Sequence, residues 1–203
     1  MSKSYATDAD DYRRGEIAET VAHVIDAVRR RGDEAVRDHA RRADGWAPDD
    51  FRLSQREIDR CVAEIPASTR ADIRFAQGQL ERFAEAQRAS LRDVEIETLP
   101  GIRLGHRHIP FASVGAYVPG RRRLPVAAAQ MSVVAARVAG VPRIVACAPP
   151  RDGGPVAADV AAMALAGAHE IYAVGGIHGL AALALGTESI PRVDVIVASG
   201  GPH

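Results

Sequence analysis

SVGAYV at residues 113–118, RIVACA at 143–148, EIYAV at 170–174 and VDVIVA at 193–198 are the four runs whose reading decides the fold. Each is short and apolar, and each is followed by Gly or Pro: Pro119-Gly120, Pro149-Pro150, Gly175-Gly176 and Gly200-Gly201. Between the runs lie Ala-rich stretches, each long enough for one helix. Alternating β-α-β-α-β-α-β segments predict a parallel sheet. Ligands of open parallel sheets sit beyond the carboxyl ends of the strands. The four Gly- and Pro-rich turns are therefore where a site is expected.

The first half reads as helical. Ile17, Val21, Val24, Ile25 and Val28 recur at helical spacing over 14–31, and Gly32 ends that helix. Asp33 is expected to cap a second helix running to about Arg42, with Asp44-Gly45 as its turn. Ser54-Gln55-Arg56-Glu57 has the pattern of a capping box, so a third helix starts there and ends near Pro66. Ser68 is expected to cap a long fourth helix reaching about Ala89, with Ile73, Leu80 and Phe83 on its inner face. These amphipathic helices read as scaffold. Next, 93–98 alternates apolar and polar residues, as a half-buried strand does. Leu99-Pro100-Gly101 turns the chain, and 102–109 returns as the partner strand.

The 203 residues suit one medium domain, or a helical lobe plus an α/β lobe. Formal charge balances to +0, which leaves no electrostatic case for a nucleic-acid or membrane partner. Lys3 is the one lysine and the arginines are scattered among acids. Cys61 and Cys147 are far apart in sequence and read as reduced thiols. The N-terminus is polar and acidic, with no signal peptide, and the apolar stretches are too interrupted to span a bilayer. The expected location is the cytoplasm.

Chemistry-bearing residues are few. Tyr117 stands at the first strand end, either as an aromatic wall for a flat ligand or as a packed strand residue. Arg121, Arg122 and Arg123 follow, where the helix starting near Pro125 could aid phosphate binding. No Gly-x-Gly-x-x-Gly and no Gly-Lys-Ser/Thr loop occurs, so the standard nucleotide fingerprints are absent. After the third run, Gly175 and Gly176 permit close approach by a ligand or another backbone. His178 falls in the first turn of the next helix, facing the crevice. His106 and His108 are two apart and would share one face of a strand, but no carboxylate or thiolate neighbours them in sequence. Exposed strand residues are the expected reading there.

Taken together, several segments resemble histidinol dehydrogenase, and the resemblance covers essentially the whole chain. They are VGAYVPG at 114–120, AARVAGV at 135–141, Pro149-Pro150, EIYAVGG at 170–176 and LALGTESIPRVDV at 183–195, in matching order and spacing. LGHRHIP at 104–110 and AQMSVV at 129–134 look closer to a paralogous branch that oxidises dihydroxypropanesulfonate at a terminal alcohol. The residues leave both branches open.

The resemblance implies a zinc-dependent, NAD-linked oxidation of an alcohol to a carboxylate in two hydride transfers, and, for the histidinol branch, a place in histidine biosynthesis. It also implies a homodimer. The cofactor positions it points to are Tyr117, Pro119, Gly120, Gly175, Gly176, His178, Gly200 and Gly201. Tyr117 matches an NAD-contacting Tyr, His178 falls where the family commonly has Gln, and Gly201 falls near a family Asn. The family continues for roughly as many residues again, and its zinc ligands, catalytic Glu-His pair and substrate contacts lie in that continuation. No catalytic or metal residue is therefore assigned in this chain.

The expected fold class is α/β: an N-terminal helical region (1–92), a β-hairpin (93–110), then an incomplete Rossmann-like parallel sheet of about four strands (111–203), truncated after the fourth. The expected function is the N-terminal part of such an oxidoreductase, inactive alone. The alternative is a non-catalytic nucleotide-binding or dimer-partner protein of the same descent. The expected partners are a small alcohol in the complete enzyme and a second copy or a missing C-terminal half. An open apolar edge at 193–198 adds an expectation of pairing with another chain.

Overall fold

The computed structural model describes residues 8–119 and 125–198. The four runs form β3 (Ser113–Tyr117), β4 (Arg143–Ala148), β5 (Glu170–Ala173) and β6 (Val195–Ala198). They make one parallel sheet in the order β5-β4-β3-β6. The connecting helices are α5 (Pro125–Val138), α6 (Ala157–Ala166) and α7 (Gly176–Leu185). β3, β4 and β5, predicted from continuous apolar runs, are buried on both faces, as parallel strands between helical layers must be, whereas β6 is exposed at Val197 and Ala198.

Alternation along β4 shows how the two faces are filled. Ile144 and Ala146 join one core with Val133 of α5 and Met163 of α6. Val145 and Cys147 point the other way, into a core with Leu183 of α7. The Ala-rich composition of α5 and α6 lets their backbones lie close to the sheet, through Ala129, Ala136, Ala162 and Ala166.

The N-terminal helices are α1 (Asp8–Arg31), α2 (Asp33–Asp44), α3 (Gln55–Glu64) and α4 (Ala67–Ser90). They divide between the two faces of the sheet. Val24 and Val28 of α1 and Val36 of α2 complete the core on the α7 side. Cys61 of α3 and Leu80 of α4 pack on the α5–α6 side. The segment before α3 also covers the β5 edge: Leu53 N–H donates to the Ile171 carbonyl at 2.8 Å, and Ala173 N–H donates to the Phe51 carbonyl at 2.8 Å. That pairing protects one edge of the sheet from association.

The capping box at α3 forms as expected. Ser54 Oγ accepts the Glu57 N–H at 3.3 Å, and the Glu57 carboxylate accepts the Ser54 N–H at 2.8 Å. Two other caps differ. Asp33 is the first residue of α2 rather than its cap; Gly32 takes that place at φ +52°. The Asp33 N–H is instead satisfied by Glu188 Oε2 at 2.8 Å, from the loop after α7. A side chain distant in sequence thus does the work expected of a local one. Ser68 lies inside α4, which begins at Ala67 after Pro66. Phe83 is not on the inner face of α4 but 65% exposed, while Ile73 is buried.

The 93–98 segment forms β1 (Val94–Leu99), paired antiparallel with β2 (Ile102–His106). Neither strand is half-buried: every residue of both is exposed. The return strand ends at His106 rather than Ile109. The fourth run starts two residues later than expected, because Asp194 serves as a clasp. Its carboxylate accepts the Ser113 N–H at 2.8 Å and the Ser113 hydroxyl at 2.9 Å, fastening the starts of β3 and β6. None of the described helices is long and apolar enough to cross a membrane.

Gly32→Ala tests the coupling between α2 and the loop after α7. Its positive φ disfavours a side chain by about 1–2 kcal/mol, and the new Cβ would overlap the Glu188 carboxylate. Urea melts should show a loss of at least that size, and a smaller loss in a Glu188→Ala background, where the overlap is removed.

Candidate functional site

The strand order places a reversal at β3. Successive connections step from β3 to β4 to β5, and α7 then returns the chain to put β6 on the other side of β3. The crevice between the carboxyl ends of β3 and β6 is the topological switch point, where open α/β sheets bind ligands. Tyr117 stands at this crevice, level with Ala198 on β6 and Cys147 on β4.

The phenol oxygen of Tyr117 accepts the Gly176 N–H at 3.2 Å. One hydrogen bond thus ties the end of β3 to the start of α7. Burial pushes the Tyr117 pKa up, so the phenol is neutral and keeps its own proton to donate. Beside it, the Val118 N–H donates to the Cys147 carbonyl at 2.8 Å, and Pro119 is half-buried. Gly120, Arg121, Arg122, Arg123, Gly200 and Gly201 lie outside the described residues.

The paired glycines have separate physical reasons. A Cβ on Gly175 would overlap Pro149, so the close approach there is by the chain's own backbone turn. Gly176 has φ +61°, in the left-handed region that favours glycine. Gly175, at the N-cap of α7, has no side chain to cap the helix, and the first N–H of α7, that of Gly176, goes to the Tyr117 phenol instead.

His178 lies in the first turn of α7, and its ring is buried. It is 4% exposed and packs toward α2. The ring stacks with His39 at 6.2 Å between centroids, and Nε2 lies 3.7 Å from Asp44 Oδ2. Neither of those two atoms has a hydrogen-bond partner. Burial, reinforced by the neighbouring His39, pushes the His178 pKa down to about 4. Burial likewise pushes Asp44 up and His39 down. Sequence reasoning missed His39 and Asp44. The Asp44-Gly45 pair reads only as a helix end, and nothing local to either residue shows that α2 packs on α7.

The remaining candidates do not join this site. His106 and His108 meet edge to face at 5.3 Å on the exposed hairpin. A carboxylate does reach them: Asp93 Oδ1 is 3.1 Å from His108 Nδ1, brought there by the hairpin turn. Among the described residues no group of three or more His, Cys, Asp or Glu is placed to hold a metal ion. Cys61 and Cys147 are free and buried, and burial pushes the Cys147 pKa up to about 12, so that thiol stays protonated. A groove of ≈ 610 Å³ runs past Leu91, His108, Phe111 and Val138. It lies near the amino ends of β3 and β4, away from the crevice.

A twisted parallel sheet covered on both faces, with its crevice at a switch point, defines a Rossmann-like α/β protein. Comparison with known sequences narrows that class. A histidinol dehydrogenase family model matches residues 8–203, and the chain belongs to that family. It is 48% identical over 186 residues to a histidinol dehydrogenase homolog from Shouchella clausii, covering 92% of this chain and 44% of the relative. It is 39% identical over 201 residues to sulfopropanediol 3-dehydrogenase from Ruegeria pomeroyi, covering 98% and 46%. The crystal structure of histidinol dehydrogenase from Elizabethkingia anophelis superposes with a TM-score of 0.84 at 26% identity, covering 98% and 44%. The chain thus spans less than half the length of these relatives.

The buried imidazole makes stability depend on pH. The unfolded chain takes up a proton near the ordinary value of 6.5, whereas folded His178 refuses it until about 4. The unfolded state therefore binds more protons in that window, and stability falls as pH drops through it. This group alone should cost about 2 kcal/mol between pH 7 and pH 5. Asp44, with its raised pKa, opposes part of that loss. Urea melts at the two pH values should show a smaller decline for His178→Gln than for the unsubstituted chain.

Proposed function

We propose that this chain is the NAD-binding part of a histidinol dehydrogenase-type oxidoreductase that oxidises a small alcohol to a carboxylate. The observation that supports it most is the Tyr117–Gly176 hydrogen bond at the switch-point crevice. It brings an aromatic face and the start of a helix to one place. A helix N-terminus suits the diphosphate of a dinucleotide, and a half-buried tyrosine suits its flat rings.

NAD would be held by Tyr117, the turn at Pro119 and Gly120, the strand end at Gly175 and Gly176, and the turn at Gly200 and Gly201. His178 would join them only if its ring left Asp44 and His39. When bound, NAD supplies the hydride acceptor, used twice for conversion of an alcohol to a carboxylate. The chain's part is to orient the cofactor and keep the Tyr117 proton in place.

Zinc does not fit the described residues, which offer no cluster of ligands. Metal polarisation and proton removal are therefore assigned to no residue of this chain. The names of the relatives support a small polar alcohol as substrate, either histidinol or a sulfonated diol. A homo-oligomer and a cytoplasmic location complete the reading, which involves no nucleic acid or membrane.

Calorimetric titration with NAD tests this. Binding is expected in the micromolar to millimolar range, and Tyr117→Ala should weaken it about tenfold, equivalent to about 1.4 kcal/mol. Absence of heat at millimolar NAD, from a chain that melts cooperatively, overturns the proposal.

A further inference from the structure

The β1–β2 hairpin carries two imidazoles that the crevice does not use. Val94 opposes His106, Ile96 opposes Leu104 and Leu99 opposes Ile102. Directly opposed residues of an antiparallel pair share a face. His106 therefore stands at the end of an apolar face whose side chains are all exposed. His108 follows two residues later, and the two rings meet edge to face with centroids 5.3 Å apart. The nearby cations are turned to Glu95: Arg103 is 3.0 Å and Arg107 3.9 Å from its carboxylate.

Each ring is held at one nitrogen. Nε2 of His106 lies 3.1 Å from the Arg92 carbonyl oxygen, and Nδ1 of His108 lies 3.1 Å from Asp93 Oδ1. A carbonyl and an ionised carboxylate can only accept, so the proton of each neutral ring sits on those nitrogens. The other two, Nδ1 of His106 and Nε2 of His108, keep their lone pairs. Asp93 Oδ1 also accepts the His108 backbone N–H at 2.9 Å, which fixes the carboxylate. Metal-binding histidines show this same arrangement. One nitrogen donates to a carbonyl or carboxylate, which sets the tautomer, orients the ring and makes the other nitrogen a better ligand.

The spacing agrees. Two imidazoles on one ion, with nitrogens at about 2.0–2.1 Å and bond angles of roughly 90–110°, have centroids about 4.5–5.2 Å apart. The observed 5.3 Å is close to that range, and the His108 side chain, 41% exposed, has room to turn. Two imidazoles are fewer side chains than zinc sites use, and among the described residues no third ligand completes the set. Two nitrogens with water in the remaining positions suit the tetragonal coordination of Cu2+ or Ni2+, with Cu2+ the tighter. We propose that His106 and His108 form a site for one such ion, with the Arg92 carbonyl and the Asp93 carboxylate holding their rings.

This proposal does not rest on the nucleotide reading. Its test is titration of the untagged, EDTA-treated 203-residue chain with CuCl2, by calorimetry and by electron paramagnetic resonance. One ion per chain is expected, with a dissociation constant below about 100 µM and a spectrum showing two nitrogen ligands. Cys61 and Cys147 are buried and do not compete. The chain has seven histidines, so variants locate the ion. His106→Ala and His108→Ala should each weaken binding at least about tenfold and leave one nitrogen in the spectrum. Asp93→Asn should keep both nitrogens but weaken binding about tenfold. These side chains are exposed, so the variants are expected to melt as cooperatively as the unsubstituted chain. A dissociation constant above about 100 µM overturns the proposal, as does binding that either His variant leaves unchanged, which marks an adventitious ion only. Unchanged affinity in Asp93→Asn overturns it too, because the ring-holding carboxylate is part of the site.

Discussion

Burial of the parallel sheet on both faces is the constraint from which the rest of the architecture follows. Each strand sends alternate side chains up and down, so two separate cores must be closed. Three short connecting helices cannot do this alone. α5 and α6 lie on one face and α7 on the other, and each layer is backed by a pair of N-terminal helices. The opening helices are therefore structural complements of a sheet that appears much later in the chain. Their polar contacts follow the same logic. Glu188 satisfies the start of α2, and buried Gln77 of α4 donates to the Ala162 carbonyl at 3.1 Å.

The same arrangement sets the chemistry of the crevice. Because β6 returns beside β3, the end of β3 is flanked by strands on both sides, and Tyr117 sits between them rather than at a margin. Because α7 begins directly beyond β5, its first N–H falls within reach of the phenol. His178 is packed against the layer of α2. A helix residue that would face a cofactor in an isolated βα unit is here buried against a carboxylate from the opening helices. Whether that imidazole is offered to a ligand is decided by the packing of α2 on α7.

Much of the fold was legible because its signals are local. Four apolar runs ending at Gly or Pro announce a parallel sheet, and Ser54 to Glu57 announces a helix start through side-chain and backbone groups three residues apart. The misread positions share one cause. Asp33 and Ser68 are plausible caps by residue type, yet Asp33 is served by Glu188 and Ser68 lies within a turn of helix opened by Pro66. Phe83 has the right spacing for an inner face, but α4 meets α5 and α6 along a narrower stripe than its apolar residues cover. At the site, Tyr117 and the paired glycines were visible from strand-end position, whereas Asp44 and His39 were not.

By itself the sequence determined the α/β class, the order of the elements, the family and the positions of the strand ends. These depend on periodicity, turn chemistry and motif spacing, all of which act over a few residues. Only the tertiary structure decided that the opening helices split between the two faces, that His178 is held against Asp44, and that the hairpin's apolar face lies open. Those outcomes depend on which surfaces, distant along the chain, exclude water from one another, and that pairing is a property of the packed whole.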